Sequence, residues 1–236
     1  MGNLQASATI NFGLSATLSA TNSRTGRKVT CAGEYGRVQG WAKMPRRQSL
    51  LLHPGREQLF EELCRVRCVS DPIIHGYRGR PKSQTGPDPS PACMGPPKSH
   101  QTGDNGRYNR IGHPALYLSD SNYGVGREMP DDLIYIQEFE IPTTALRIAD
   151  LRYLESESFI SGVFWHAEMA GRGGYPTKIF SQTVGELVGR RFDGIVLPGV
   201  HGEIGGNYAN IVILRHVEQW TEWLRAGCSP REVATA

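Results

Sequence analysis

The stretch GRYNRIGHPALYLSDSNYGVGREM, from Gly106 to Met129, decides how the rest of the chain is read. Within it, Ala115-Leu116-Tyr117-Leu118 is an apolar run of strand length. Asp120-Ser121 follows at once. Both residue types cap helices, because a short side-chain oxygen accepts from the first free backbone N–H groups. A helix is therefore predicted from there to Met129. This puts Tyr117 on a strand and Glu128, eleven residues on, at the end of the following helix.

Outward from this stretch, strands and helices mix. Leu133 to Ile141 alternates in part and reads as a strand stopped by Pro142. Residues 177–191 suit a helix with Ile179, Phe180, Val184, Leu187 and Val188 inward. Asp193 to Pro198 and Asn210 to Leu214 read as buried strands on either side of a Gly-rich turn, and residues 217–226 as a last short helix. Toward the N-terminus, Ile73 to Arg78 reads as a short strand entering a turn. Residues 54–69 read as a helix with Leu59, Phe60, Leu63 and Val66 on one face. Cys64 and Cys68, one helical turn apart, read as buried structural thiols. The expected class is α+β.

Two segments stand apart. Eleven of the 28 residues in 79–106 are Gly or Pro, which marks an insert acting as a lid, a partner site or a disordered loop. Residues 1–43 hold no acidic residue before Glu34 and show no sustained period; they read as a disordered or non-core extension, with an organelle transit peptide as the alternative. Residues 44–236 are then one domain, long enough to bury a core without staples.

Composition excludes several classes. With 26 basic against 23 acidic residues the net charge is +3, too small for a dedicated nucleic-acid binder. No apolar run is long enough to span a membrane, and no basic-then-apolar leader opens the chain. The five cysteines are odd in number and form no CxxC pair, so neither a disulfide framework nor a zinc ribbon is expected; a reducing, cytoplasmic setting fits. Gly124-Val125-Gly126 lacks the third glycine of a dinucleotide fingerprint. His166-Ala167-Glu168 has no following P-C-x-x-C, and neither HExxH nor G-x-S-x-G occurs. No metal site is expected.

What remains is a set of spaced residues. Arg78 and Arg107 flank the insert, and two guanidinium forks match the oxygens of a diphosphate. Tyr117 offers a flat ring for a heterocycle, and Glu128 a carboxylate for a ribose hydroxyl or a developing positive charge. The plain alternative is that the arginines and the glutamate are surface residues and Tyr117 is core.

The central stretch resembles the signature of the RES domain family, typified by the toxins of Xre–RES toxin–antitoxin systems. Gly106-Arg107-Tyr108-Asn109 stands where the family has G-R-W-N, and Tyr77-Arg78 matches its earlier Tyr-Arg. The Tyr117–Glu128 interval suits the family, and so do the segments Phe192 to Pro198 and Asn210 to Leu214. The resemblance covers roughly residues 55–216. It implies an ADP-ribosyltransferase-like split, bent β core and an enzyme that takes NAD as substrate without a metal. The implied reaction is that of an NAD glycohydrolase or phosphorylase. Protein ADP-ribosylation and a non-catalytic nucleotide-binding module are the alternatives. It implies Glu128, Arg78 and Ser181 as catalytic residues, and Tyr77, Arg78, Arg107 and Tyr117 around NAD. It also implies an antitoxin partner, with a homo-oligomer left open. Two departures stand out. Pro198-Gly199 replaces a Pro-Ser common in the family, so Ser181 is taken as the family serine, and the interval from Arg78 to Arg107 is long.

Overall fold

The computed structural model describes residues 17–21, 28–32, 56–87, 89–99, 106–109, 112–129, 133–152, 182, 184–186, 188–199 and 208–234. These belong to two units, one formed by residues 1–64 with 154–187, the other by residues 65–153 with 188–236.

In the first unit, Thr17–Thr21 (β1) pairs antiparallel with Lys28–Ala32 (β2), in register from Thr17↔Ala32 to Thr21↔Lys28. These strands hold only Leu18 and Val29 as large aliphatics, so their alternation in sequence is weak. Helix α1, Arg56–Arg65, is shorter than its predicted span. Leu63 is buried, whereas Phe60 is exposed, and Val66 lies past the helix end. Cys68 is also past that end, exposed and in an isolated bridge with Ala149. The reading of Cys64 and Cys68 as buried thiols on one helical face is thereby corrected. In the segment 177–191, residues 182, 184–186 and 188 are helical.

The second unit is a seven-stranded sheet. Its strands are Ile73–Pro81 (β3), Leu116–Ser119 (β4), Leu133–Pro142 (β5), Ile148–Asp150 (β6), Gly194–Pro198 (β7), Ala209–Ile213 (β8) and Arg231–Ala234 (β9). The order is β6-β7-β8-β4-β3-β5-β9, with β6–β7 parallel and the other pairs antiparallel. The class is α+β.

Strand β5 shows why the sequence alternates only in part. Successive side chains of a strand point to opposite faces. Tyr135, Phe139 and Ile141 enter the main core with Leu116, Leu118, Ile148, Val196, Ile211 and Ile213. Ile134 and Ile136 enter a smaller cluster with Val125, and Tyr77 and Met129 pack against it. Both faces of β5 are covered, so it reads as nearly continuous apolar sequence. A 3-10 helix, Val217–Trp223, stands where an α-helix over 217–226 is predicted. It closes the main core by setting Trp220 beside Phe139, ring centroids 6.5 Å apart.

The Pro/Gly-rich insert is anchored along its first half. Lys82–Thr85 forms a short helix (α2) and Pro91–Met94 a 3-10 turn. Met94 is fully buried in the main core, and Arg80 donates from Nη2 to the Gly95 carbonyl at 2.8 Å.

Strand β3 is in register with β5 over nine positions, but with β4 only at Tyr77↔Ser119.

Candidate functional site

Helix α3, Asn122–Glu128, follows β4 directly. Ser121 caps it as predicted, its Oγ accepting from the Gly124 N–H at 3.1 Å. Val125 is buried in the smaller cluster with Ile134 and Ile136. Burying one such aliphatic side chain contributes about 1.5–3 kcal/mol. Cap and apolar anchor together fix where Glu128, the last helical residue, emerges.

The Glu128 carboxylate is held from the sheet. Its Oε1 accepts from the Tyr208 hydroxyl and from Asn210 Nδ2, each at 2.9 Å. Asn210 lies opposite Ser119 in the β4–β8 ladder, and Ser119 donates to the Ala209 carbonyl at 3.3 Å. The Tyr208 ring is clamped between two glycines. A Cβ on Gly124 would come within 2.5 Å of Tyr208 Cδ2, and one on Gly199 within 2.1 Å of Tyr208 Cε2. The Pro198-Gly199 departure thus has a physical reason here: the space a side chain at 199 would need is filled by the Tyr208 ring. Tyr123 meets that ring edge-on, centroids 6.1 Å apart.

Tyr117 lies on the same sheet face, since Leu116 and Leu118 point into the main core and Tyr117 alternates with them. Its hydroxyl donates to Asn109 Oδ1 at 2.6 Å and accepts from the Tyr108 N–H at 2.8 Å. Asn109 donates in turn to the His113 carbonyl at 2.9 Å. Tyr117 therefore latches the Gly106–Asn109 turn, which carries Arg107. Burial pushes the Tyr117 phenol up to about 12, against the lowering effect of the Tyr108 backbone and the Arg107 charge.

Arg78 alternates with Tyr77, which pairs with Ser119, so its side chain leaves β3 on the face opposite the Tyr117 and Asn210 side chains and meets β4 only through the backbone. Its Nη1 donates to the Tyr117 carbonyl on β4 at 3.1 Å. Its Nε is buried and finds no hydrogen-bond partner among the described residues, and the same holds for Oε1 of Gln137, its register neighbour on β5. Burial, and then the neighbouring Arg80 charge, lower the Arg78 guanidinium to about 9, partly offset by Tyr117. It stays cationic at neutral pH, but an anion beside it would relieve an electrostatic cost.

Tyr77 and Arg78 point to opposite faces of β3. Tyr77 donates from its hydroxyl to Glu138 at 3.2 Å, within a cluster that includes His75 and Arg225. Burial, and then Glu138, raise its phenol. The structure thus brings Glu128 and Tyr117 to one face, with Arg107 on the turn that Tyr117 holds. It does not bring the Arg78 side chain to that face, and it commits the Tyr77 hydroxyl to Glu138. Ser181, His166 and His201 lie outside the described residues.

No family model matches this sequence, and no curated protein matches it. Among solved structures, the M. tuberculosis MbcT-MbcA toxin-antitoxin complex aligns at a TM-score of 0.42 and 15% identity, over 75% of this chain and 92% of that one. Among the described residues, no helix is long and apolar enough to cross a membrane.

Sequence reasoning missed Tyr208 and Asn210 as parts of the site. Asn210 left one signal, a polar residue beginning an otherwise apolar strand. Gly124 and Gly199 left another, as small residues whose need for space has no local cause. Asp193, in the Asp-Gly of the motif, is structural. Its carboxylate accepts from the Arg147 N–H at 2.9 Å, and its carbonyl accepts from the N–H groups of Leu214 and Arg215.

Proposed function

We propose that this chain takes NAD as substrate and breaks the bond between nicotinamide and ribose, with Glu128 as the catalytic carboxylate. The observation that carries the reading is the fixed position of Glu128, tied by Tyr208 and Asn210 to the sheet face that also presents Tyr117. The likeness of Gly106-Arg107-Tyr108-Asn109, Tyr117 and Glu128 to the RES pattern supplies the substrate class.

In the reaction, the C1″–N bond of the nicotinamide riboside breaks and its electron pair leaves with the nicotinamide nitrogen. An acceptor oxygen forms the new C1″–O bond, and the acceptor's proton is released. Water as acceptor gives ADP-ribose, and phosphate gives ADP-ribose 1″-phosphate. The ribosyl centre becomes oxocarbenium-like on the way, so a fixed anion lowers the transition state more than the ground state. Glu128 supplies that anion and a partner for the ribose 2″-hydroxyl, as glycosidase carboxylates do. Arg78 and Arg107 hold the diphosphate. Tyr117 lies beside the nicotinamide riboside. By this reading the chain is a toxin restrained by an antitoxin, and expression without that partner arrests growth.

The test is nicotinamide release from NAD by purified protein, with and without phosphate, beside Glu128→Ala. Loss of the carboxylate is expected to cut turnover at least about a hundredfold. A protein that releases nicotinamide equally well without Glu128 would remove the catalytic assignment. NAD binding with no release over hours would favour a nucleotide-binding module.

A further inference from the structure

We propose that Tyr208 is the positioning residue of the site, a rigid strut that sets the orientation of the Glu128 carboxylate. The inference rests on the glycosidic reading above. Glu128 is the last residue of a seven-residue helix, and helix ends fray. Its flexible side chain needs an external constraint before it can serve as a fixed anion. Two donors on one carboxylate oxygen, Tyr208 and Asn210, stop the group from rotating.

Tyr208 is built for this task beyond the needs of packing. A Phe would fill the space between Gly124 and Gly199 as well. The hydroxyl adds the Glu128 contact, and the glycine clamp leaves the ring no room to swing away from it. Tyr208 is buried and immediately precedes β8, and its carbonyl accepts from the Gly199 N–H at 3.0 Å. The strut is thus anchored at backbone and ring, and it ends in a single polar atom aimed at Glu128.

The conservative variant Tyr208→Phe keeps the clamped ring and removes that atom. Misplacing a catalytic group by an ångström costs about a hundredfold in rate. We expect kcat for nicotinamide release to fall roughly ten- to hundredfold, with KM for NAD changed less than about threefold. An unchanged kcat, or a loss expressed wholly in KM, would overturn the inference. A thermal cycle of Tyr208→Phe, Glu128→Ala and the double variant keeps the two readings apart, because each single change removes the contact and the cycle needs no activity. If the Tm losses of the single variants fail to add, the two side chains are coupled. If they add fully, Tyr208 does not hold Glu128, and the inference falls even with NAD cleavage intact. Wild-type protein that releases no nicotinamide but shows coupling would instead defeat the glycosidic reading and leave the strut standing.

Discussion

Replacing Tyr117 with Phe tests whether the Gly106–Asn109 turn is held by one phenol. The hydroxyl makes two hydrogen bonds, to Asn109 Oδ1 at 2.6 Å and from the Tyr108 N–H at 2.8 Å. Each hydrogen bond contributes about 0.5–1.5 kcal/mol net, so Tyr117→Phe should cost about 1–3 kcal/mol. For a chain of this size that corresponds to a Tm lower by roughly 2–12 °C. The ring and its packing are retained, so the loss reports the hydroxyl alone. Urea unfolding at unchanged m-value measures it, with Tyr123→Phe as control. Tyr123 is 55% exposed, and its variant should stay within about 0.5 kcal/mol of wild type. Amide exchange at Tyr108 should accelerate in the Tyr117 variant. A Tyr117→Phe protein as stable as the control, with Tyr108 still protected, would refute the latch and with it the reason for tying Arg107 to Tyr117.

Two further outcomes follow from the geometry. Gly199→Ala places a methyl within 2.1 Å of the Tyr208 ring, and overpacking of this kind costs about 1–3 kcal/mol; a variant as stable as wild type in thermal unfolding would show that the ring is free to move. Burial pushes the Glu138 carboxyl up, but hydrogen bonds from Arg225, Tyr77 and His75 outweigh it and leave the group below its ordinary value. A carboxylate depressed in the folded state adds stability above its unfolded value of about 4.3 and loses it as pH falls through the folded value. Thermal stability should therefore drop below about pH 5, and Arg225→Ala should flatten that drop; parallel curves for the two proteins would sink the account.

Local chemistry was legible in the chain. The run Ala115 to Leu118, the Ser121 cap and the helix ending at Glu128 are short-range features, decided by side-chain polarity and a single capping hydrogen bond. They emerged as read. Strands β7 and β8 were equally plain, because most of their residues are buried and, Asn210 apart, apolar. Strand β6 has three residues and β9 four, two of them charged, so neither carries a period; each exists because a neighbouring strand offers its ladder. The described part of the insert shows the same dependence on distant contacts. Gly and Pro announce loops, but one buried methionine, Met94, is enough to dock the segment on the core.

The site divides along the same line. Residue identity and spacing determined by themselves the α+β class, the pairing of Tyr117 with Glu128 in one strand–helix unit, and the candidate role of the Gly106–Asn109 turn. Only the tertiary structure decided which face each side chain serves. It put Tyr77 and Arg78 on opposite sides of β3, engaged Arg78 with the Tyr117 carbonyl on β4, and delivered Tyr208 and Asn210 to Glu128 from some 80 residues away. The reason is physical. Capping and periodicity act over a few residues, whereas strand register and the space left by a missing Cβ at Gly124 and Gly199 come into being only when distant segments pack together.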